Sequence, residues 1–213
     1  EKLSPSEIVS AELLGDLRKI IDSARSHVAA TANYELTMMY WNIGTRINRD
    51  ILNNERAEYG QQIVSQVATQ LQQEYETKSF ELRNIQRMMQ FARLLPDFQI
   101  VSQLATKLSW SHFIEVLPLK EPLQREFYLT MAASERWGRN KLREKIDGML
   151  YERTAIATKP EELIKQELAD LRDNETLSPD LVFKSPYFLE FTGLKGMYSE
   201  KSLEDSLVAY LEQ

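Results

Sequence analysis

Along the first quarter of the chain, apolar residues recur every three or four positions: Ile8, Leu13, Leu14, Leu17, Ile20 and Ile21, then Val28, Leu36, Met39, Tyr40 and Ile43. That is the period of a helix with one buried face, and it predicts two long helices, or one kinked helix, over residues 6–53. Gly60 separates this stretch from "QQIVSQVATQLQQEY", where Ile63, Val64, Val67, Leu71 and Tyr75 again share a face. After "ETKS" comes "SFELRNIQRMMQFARLLP", which reads as a helix with Ser79 as N-cap and Pro96 as a stop signal. Leu82, Ile85, Met88, Met89 and Leu95 would face inward, and Arg83, Arg87 and Arg93 largely elsewhere.

Three further helices are expected over residues 121–135, 139–150 and 160–173, the last with Pro160 near its first turn, where a missing amide proton costs little. Only "DLVFKSPYFLEFTGL", residues 180–194, has the alternation, aromatics and turn residues of extended structure. Residues 201–213 read as a last amphipathic helix carrying Leu203, Leu207, Tyr210 and Leu211. The fold class that follows is mainly α, a multi-helix domain with a short extended segment near its C-terminus.

Composition narrows this picture. The chain has 213 residues, 43% of them hydrophobic, which is enough for a proper core. It has no cysteine and no apolar run of the length that crosses a bilayer, so the expectation is a cytoplasmic protein without disulfides. The opening "EKLSPSEIVS" has neither an initiator methionine nor a signal-peptide profile, as expected of a processed or trimmed piece.

The net charge of −6 argues against an overall basic nucleic-acid binder, but its distribution is uneven. Residues 78–145 hold twelve Lys and Arg against seven Asp and Glu, whereas residues 161–213 hold five against twelve. A basic middle precedes an acidic tail. Three regions are therefore expected: long helices that could dimerise at 1–56, a basic region at 57–155, and an acidic linker from 156.

Several chemistries are disfavoured. Two histidines, His27 and His112, and no cysteine offer no zinc-ligand spacing. Gly193 and Gly196 lack the strand, lysine and helix of a phosphate-binding loop. Ser111 and His112 are adjacent, so on a helix they point about 100° apart and cannot form a nucleophile–base pair. A metal-dependent nuclease of the PD-(D/E)xK kind needs two carboxylates and a lysine carried on successive strands. The one match to (D/E)xK, Glu76-Thr77-Lys78, ends a helix, and Pro179-Asp180 has no second half after it.

What remains is nucleic-acid recognition. In "QLATKLSWSHFIEVL", residues 103–117, Leu104 and Leu108 would face inward, Ala105 allows close helix approach and Ser109 can cap a second helix. That is the physical recipe of a helix-turn-helix, and also of an ordinary helical hairpin. A second candidate joins "VATQLQQEY" through "ETKS" to "FELRNIQRMMQF". There Arg83, Asn84, Gln86, Arg87 and Gln90 carry the guanidinium and amide groups that reach base edges or phosphates.

The motifs "YWNIGTRI", "AEYGQQIV", "FELRNIQRMMQFARLLPDFQIV", "LSWSHFIEVLPL", "QREFYLTM", "ERWGRNKLREKIDGMLYERTAI" and "SPYFLEFTGL" occur in the order seen in the YhcG family. The chain resembles that family over nearly its whole length from about Asn33. The resemblance implies a helical N-terminal domain followed by a PD-(D/E)xK nuclease domain, in a setting of mobile-element or phage defence. It implies that the catalytic strands, and a divalent metal such as Mg, belong after Gln213. The segment 156–213 would then end in the first nuclease helix, where Glu204 matches the family's helix glutamate. The family's Trp-Ser-x-Arg is replaced here by Trp137-Gly138-Arg139-Asn140, which displaces the arginine by one position.

The resulting expectation is a domain of winged-helix-like or tandem helix-turn-helix units that docks DNA for an attached nuclease. The expected contacts are Arg83, Arg87, Lys107, Ser109, Ser111, His112, Arg139, Lys141 and Arg143, acting mostly through phosphates. Trp41, Trp110 and Trp137 are expected to be core anchors. No cofactor is expected in this chain, and no membrane. The competing expectation is a homo-oligomer or partner-recruitment module built on the long first helices.

Overall fold

The computed structural model describes residues 11–53 and 57–182. Eight α-helices run in chain order: α1 (Ala11–Asn53), α2 (Ala57–Tyr75), α3 (Leu82–Leu94), α4 (Phe98–Ala105), α5 (Trp110–Val116), α6 (Pro122–Ser134), α7 (Arg139–Asp147) and α8 (Glu161–Asn174). Short 3-10 turns fill several connections, and no strand occurs among the described residues. The fold is mainly α. The expected extended segment and last helix fall almost wholly outside the described residues, as does Glu204. Of that segment, Asp180 and Leu181 lie in a 3-10 turn, Pro179–Leu181, because the Leu181 side chain is drawn into the core.

α1 is a single helix of 43 residues. Of the two alternatives the periodicity leaves open, the single helix is realised; residues 29–35 contain no glycine or proline to end it. Gly60 lies inside α2 and is buried. One helical glycine costs about 1 kcal/mol, too little to end a helix whose Ile63, Val64, Val67 and Ala68 share a packed face. Ser79 does not cap α3. It sits in a 3-10 turn, Lys78–Phe80, capped by Thr77, whose Oγ1 accepts from the Ser79 amide at 3.2 Å; α3 starts after Glu81. Leu82, expected inside, is largely exposed at that new start, whereas Ile85 and Met88 are fully buried.

Two apolar clusters form the core. The smaller lies among α1, α2 and α3 and holds Tyr40, Val64, Ala68, Phe80, Ile85 and Met88. The larger gathers Met38, Phe91, Leu104, Phe113, Phe127, Leu142, Leu168 and others, so it draws on α1 and α3 through α8, across both expected boundaries at 56 and 155. Trp110 packs against both clusters, 5.1 Å from Tyr40 and 5.2 Å from Phe91 between ring centroids. At the centre, residues 127–133 of α6 are buried on every side, as suits a helix apolar nearly all round.

α3 is seated closely on α1. A Cβ on Gly44 would overlap the carbonyl oxygen of Met88, so only glycine lets the two backbones meet there. On either side of it α1 donates to α3 carbonyls. Trp41 Nε1 reaches Leu95 O at 2.8 Å, and Asn48 Nδ2 reaches Met89 O at 2.8 Å. The first satisfies the carbonyl of Leu95 at the C-cap of α3, where helices run short of partners, and the second adds a bond to a carbonyl within the helix.

Candidate nucleic-acid interface

Both predicted helix pairs exist, α2–α3 and α4–α5. They differ in what their second helices leave for a ligand. In α5 no residue is exposed: Phe113 and Val116 are buried and the other five are half-buried. Its polar groups are spent internally. The Ser109 amide donates to His112 Nδ1 at 3.2 Å, and Ser109 Oγ lies 3.0 Å from that nitrogen and 2.9 Å from Ser111 Oγ. His112 Nε2 is 2.9 Å from Trp137 O, and since a carbonyl only accepts, this nitrogen carries the proton. Ser109, Ser111 and His112 are thus brought together as the start of α5 and its joint to the α6–α7 turn.

The base of that joint is an ion-pair fork the sequence does not reveal. Glu115, whose side chain is 10% exposed, accepts from Arg139 Nε at 2.6 Å, from Arg143 Nε at 2.9 Å and from Arg143 Nη2 at 2.7 Å. The bond from Arg143 holds its carboxyl below the ordinary 4.5, against the opposing pull of burial and with help from Arg139. Arg139 and Arg143 stand one helical turn apart on α7, which is the spacing that lets both reach one carboxylate. That i, i+4 pair of arginines is the signal the sequence did carry. Lys141 pairs with Glu144 at 2.9 Å, and Lys107 with Glu175 at 2.7 Å. Lys107 also borders an open cleft of about 580 Å³ with Ser134, Arg136, Trp137, Gly138 and Glu175.

α3 is the opposite case. Ile85, Met88, Phe91 and Ala92 face the core, and Arg83, Gln86, Arg87, Gln90 and Arg93 fall within one sector on the other side. Arg83, Gln86 and Arg93 are exposed and Arg87 is half-exposed. No hydrogen bond or ion pair among the described residues engages Arg83, Arg87 or Arg93, while Gln90 donates to Leu117 O at 3.1 Å. Asn84 serves the turn instead, donating to Ser79 O at 2.6 Å and accepting from Trp110 Nε1 at 3.3 Å. The three tryptophans are partly buried against the core, as the sequence leads one to expect.

No group of three or more His, Cys, Asp or Glu that could hold a metal occurs among the described residues. No described helix is long and apolar enough to cross a membrane.

Among the described residues these features define a helical domain in which one outer helix presents a row of arginines with no ion-pair partner. The chain belongs to the family of the DUF1016 N-terminal domain, which its residues 16–153 match. It is 25% identical over 223 aligned positions to a protein of Escherichia coli (strain K12) named putative nuclease YhcG, an alignment covering 90% of this chain and 58% of that protein. The chain therefore spans a little over half the length of that relative. No solved structure matches it significantly.

Proposed function

We propose that this chain is the DNA-docking domain of a nuclease whose catalytic domain, with its divalent metal, is carried elsewhere in the full protein. The observation that supports this reading is the outer face of α3. Arginines without carboxylate partners among the described residues, on a helix packed firmly from behind, are suited to phosphate contact, and Gln86 adds an amide that can address a base edge. In this reading α2–α3 is the helix-turn-helix unit that meets the duplex. Ser109, Ser111 and His112 hold α5 in place behind it, and Arg139, Lys141, Arg143 and Lys107 add a flanking positive field already partly compensated by Glu115, Glu144 and Glu175. The name of the bacterial relative agrees with nucleic acid as partner, and cytoplasmic defence against mobile DNA is the proposed setting.

The test is anisotropy binding of the 213-residue chain to a mixed-sequence duplex and a single strand over a salt series. Arg83→Ala/Arg87→Ala should weaken binding and lower the salt slope by about two, one per lost phosphate contact. Equal binding by the variant at every salt concentration overturns the reading. A second function, self-association, is favoured by a separate observation: in the N-terminal half of α1, Leu14, Leu17, Ile20, Ile21 and Val28 are exposed, and no other described element covers them.

A further inference from the structure

The long helix carries two apolar faces, and they do not line up. In its C-terminal half Met38, Trp41, Gly44, Thr45 and Asn48 turn toward the body of the protein. In its N-terminal half Leu14, Leu17, Ile20, Ile21 and Val28 are exposed, Ile20 by 65% and Val28 by 67%. With the buried Thr37 and Tyr40 counted on the core-facing side, at 100° per residue the centres of the two faces lie roughly 150° apart around the axis. The N-terminal stripe is therefore not a frayed continuation of the core contact. Every residue from 16 to 33 is exposed, and a Cβ on Gly15 would meet open space. This half of the helix has little packing against its own domain, and packing of an amphipathic face is what contributes most to helix stability in proteins.

The stripe has the spacing of a coiled-coil seam. Leu14, Leu17, Ile21, Ala24, Val28 and Thr31 follow intervals of three, four, three, four and three. In heptad terms Leu14, Ile21 and Val28 occupy a, and Leu17, Ala24 and Thr31 occupy d. Ile21 and Val28 are β-branched at a beside Leu17 at d, the pattern that favours two parallel strands, and the small Ala24 lets the helices approach closely at mid-seam. The flanks agree: in a parallel pair Arg25 of one copy lies beside Ile20 of the other, so its aliphatic stem covers the isoleucine. An antiparallel pair sets the row holding Arg18 and Arg25 against its own copy, arginine toward arginine.

Charge and area indicate the same occupant. Glu12, Asp16 and Asp22 balance Arg18, Lys19 and Arg25, a neutral surface with nothing to attract nucleic acid or an anionic membrane and nothing to repel a copy of itself. The five exposed aliphatic side chains present roughly 500 Å² per copy, so pairing removes on the order of 1,000 Å², the size at which specific interfaces begin.

We propose that this stripe pairs two copies of the chain as a parallel two-stranded coiled coil. The proposal deepens the self-association reading and is independent of DNA. A parallel seam places both bodies at the same end of the coil, so two α3 faces are presented together to one duplex.

The test is the mass of the 213-residue chain by light scattering and sedimentation without DNA. Wild type should rise with concentration toward twice 24.8 kDa. Ile21→Asp/Val28→Asp should weaken pairing by roughly a hundredfold or more, each charge being buried unpaired at the seam, while the melting of the body and one-copy DNA binding stay as in wild type. A monomer at every concentration overturns self-association altogether. A dimer that survives the double variant leaves self-association standing and overturns the seam, and a trimer or tetramer overturns two strands. Orientation is read from Thr31→Cys at the end of the seam, since the chain has no cysteine of its own and an antiparallel pair would hold the two copies of residue 31 about 25 Å apart. Interchain disulfide formation supports the parallel arrangement, and its absence from a dimer overturns it.

Discussion

The two helix pairs of this domain carry similar kinds of side chain and use them differently. In α4–α5 every polar group near the second helix is engaged: His112 by Ser109 and Trp137, Glu115 by two arginines. In α2–α3 the second helix keeps the side chains of Arg83, Arg87 and Arg93 without a partner among the described residues, on a face turned to solvent. The difference teaches that helix-turn-helix spacing does not identify a ligand-binding helix. What separates the two second helices is how far their outer faces are already engaged, and on the proposed reading that is what marks α3 for a ligand.

The comparison breaks first if the seat of α3 is disturbed. Gly44→Leu forces a side chain into the Met88 carbonyl, and overpacking at a backbone contact should cost about 3 kcal/mol or more. Thermal melting should fall by more than about 10 °C, on the order expected for that loss in a domain of this size. A melting point unchanged in this variant would mean that α1 and α3 do not meet as described.

The next largest effect separates the pairs by ligand. Arg83→Ala/Arg87→Ala should lower duplex affinity roughly tenfold or more at low salt with little change in stability, since neither side chain holds an internal partner. Ser109→Ala should do the reverse. Loss of the hydroxyl at the start of α5 should cost about 1 kcal/mol, read by urea unfolding, with DNA affinity retained. Reduced affinity in a fully folded Ser109→Ala protein would move the interface to α5.

The smallest effect is a change in pH dependence. Glu115 has its carboxyl held below the ordinary 4.5 in the folded chain, so it contributes stability that is fully present above that value and is lost as pH falls through its lowered folded value. Glu115→Gln should flatten the acid limb of a stability profile below about pH 4.5 while changing little near neutrality beyond the lost ion pairs. An acid limb identical to wild type would show that the fork on Glu115 is not formed in solution.

Much of the fold was legible because it is local. The apolar period located α3, α6, α7 and α8 to within a few residues, and Leu104, Ala105 and Leu108 turned inward as their spacing requires. The stop signals were less reliable. Gly60 was absorbed because the packing of its neighbours offsets its cost to the helix, and Ser79 was displaced because Thr77 captured the turn first. The candidate site was half legible. Periodicity places Arg83 and Arg87 on the outer face of α3, but it cannot say that Arg139 and Arg143 turn back onto Glu115, a carboxylate more than twenty positions earlier. Long-range ion pairs depend on how helices cross, and that information is spread over the whole core rather than written beside the residues concerned.

The Gly44 contact has a mechanical consequence. α1 is one unbroken rod of 43 residues, about 65 Å long at 1.5 Å per residue. The rod rests directly on the α3 backbone, is bolted there by Trp41 and Asn48, and has no glycine or proline between Gly15 and Gly44 to interrupt it. A rod clamped at one end is a lever: a twist applied at the tip reaches the other end as a change of bearing. A partner that gripped and stiffened the tip would set the bearing of the arginine row from about 45 Å away, without touching the helix it aims.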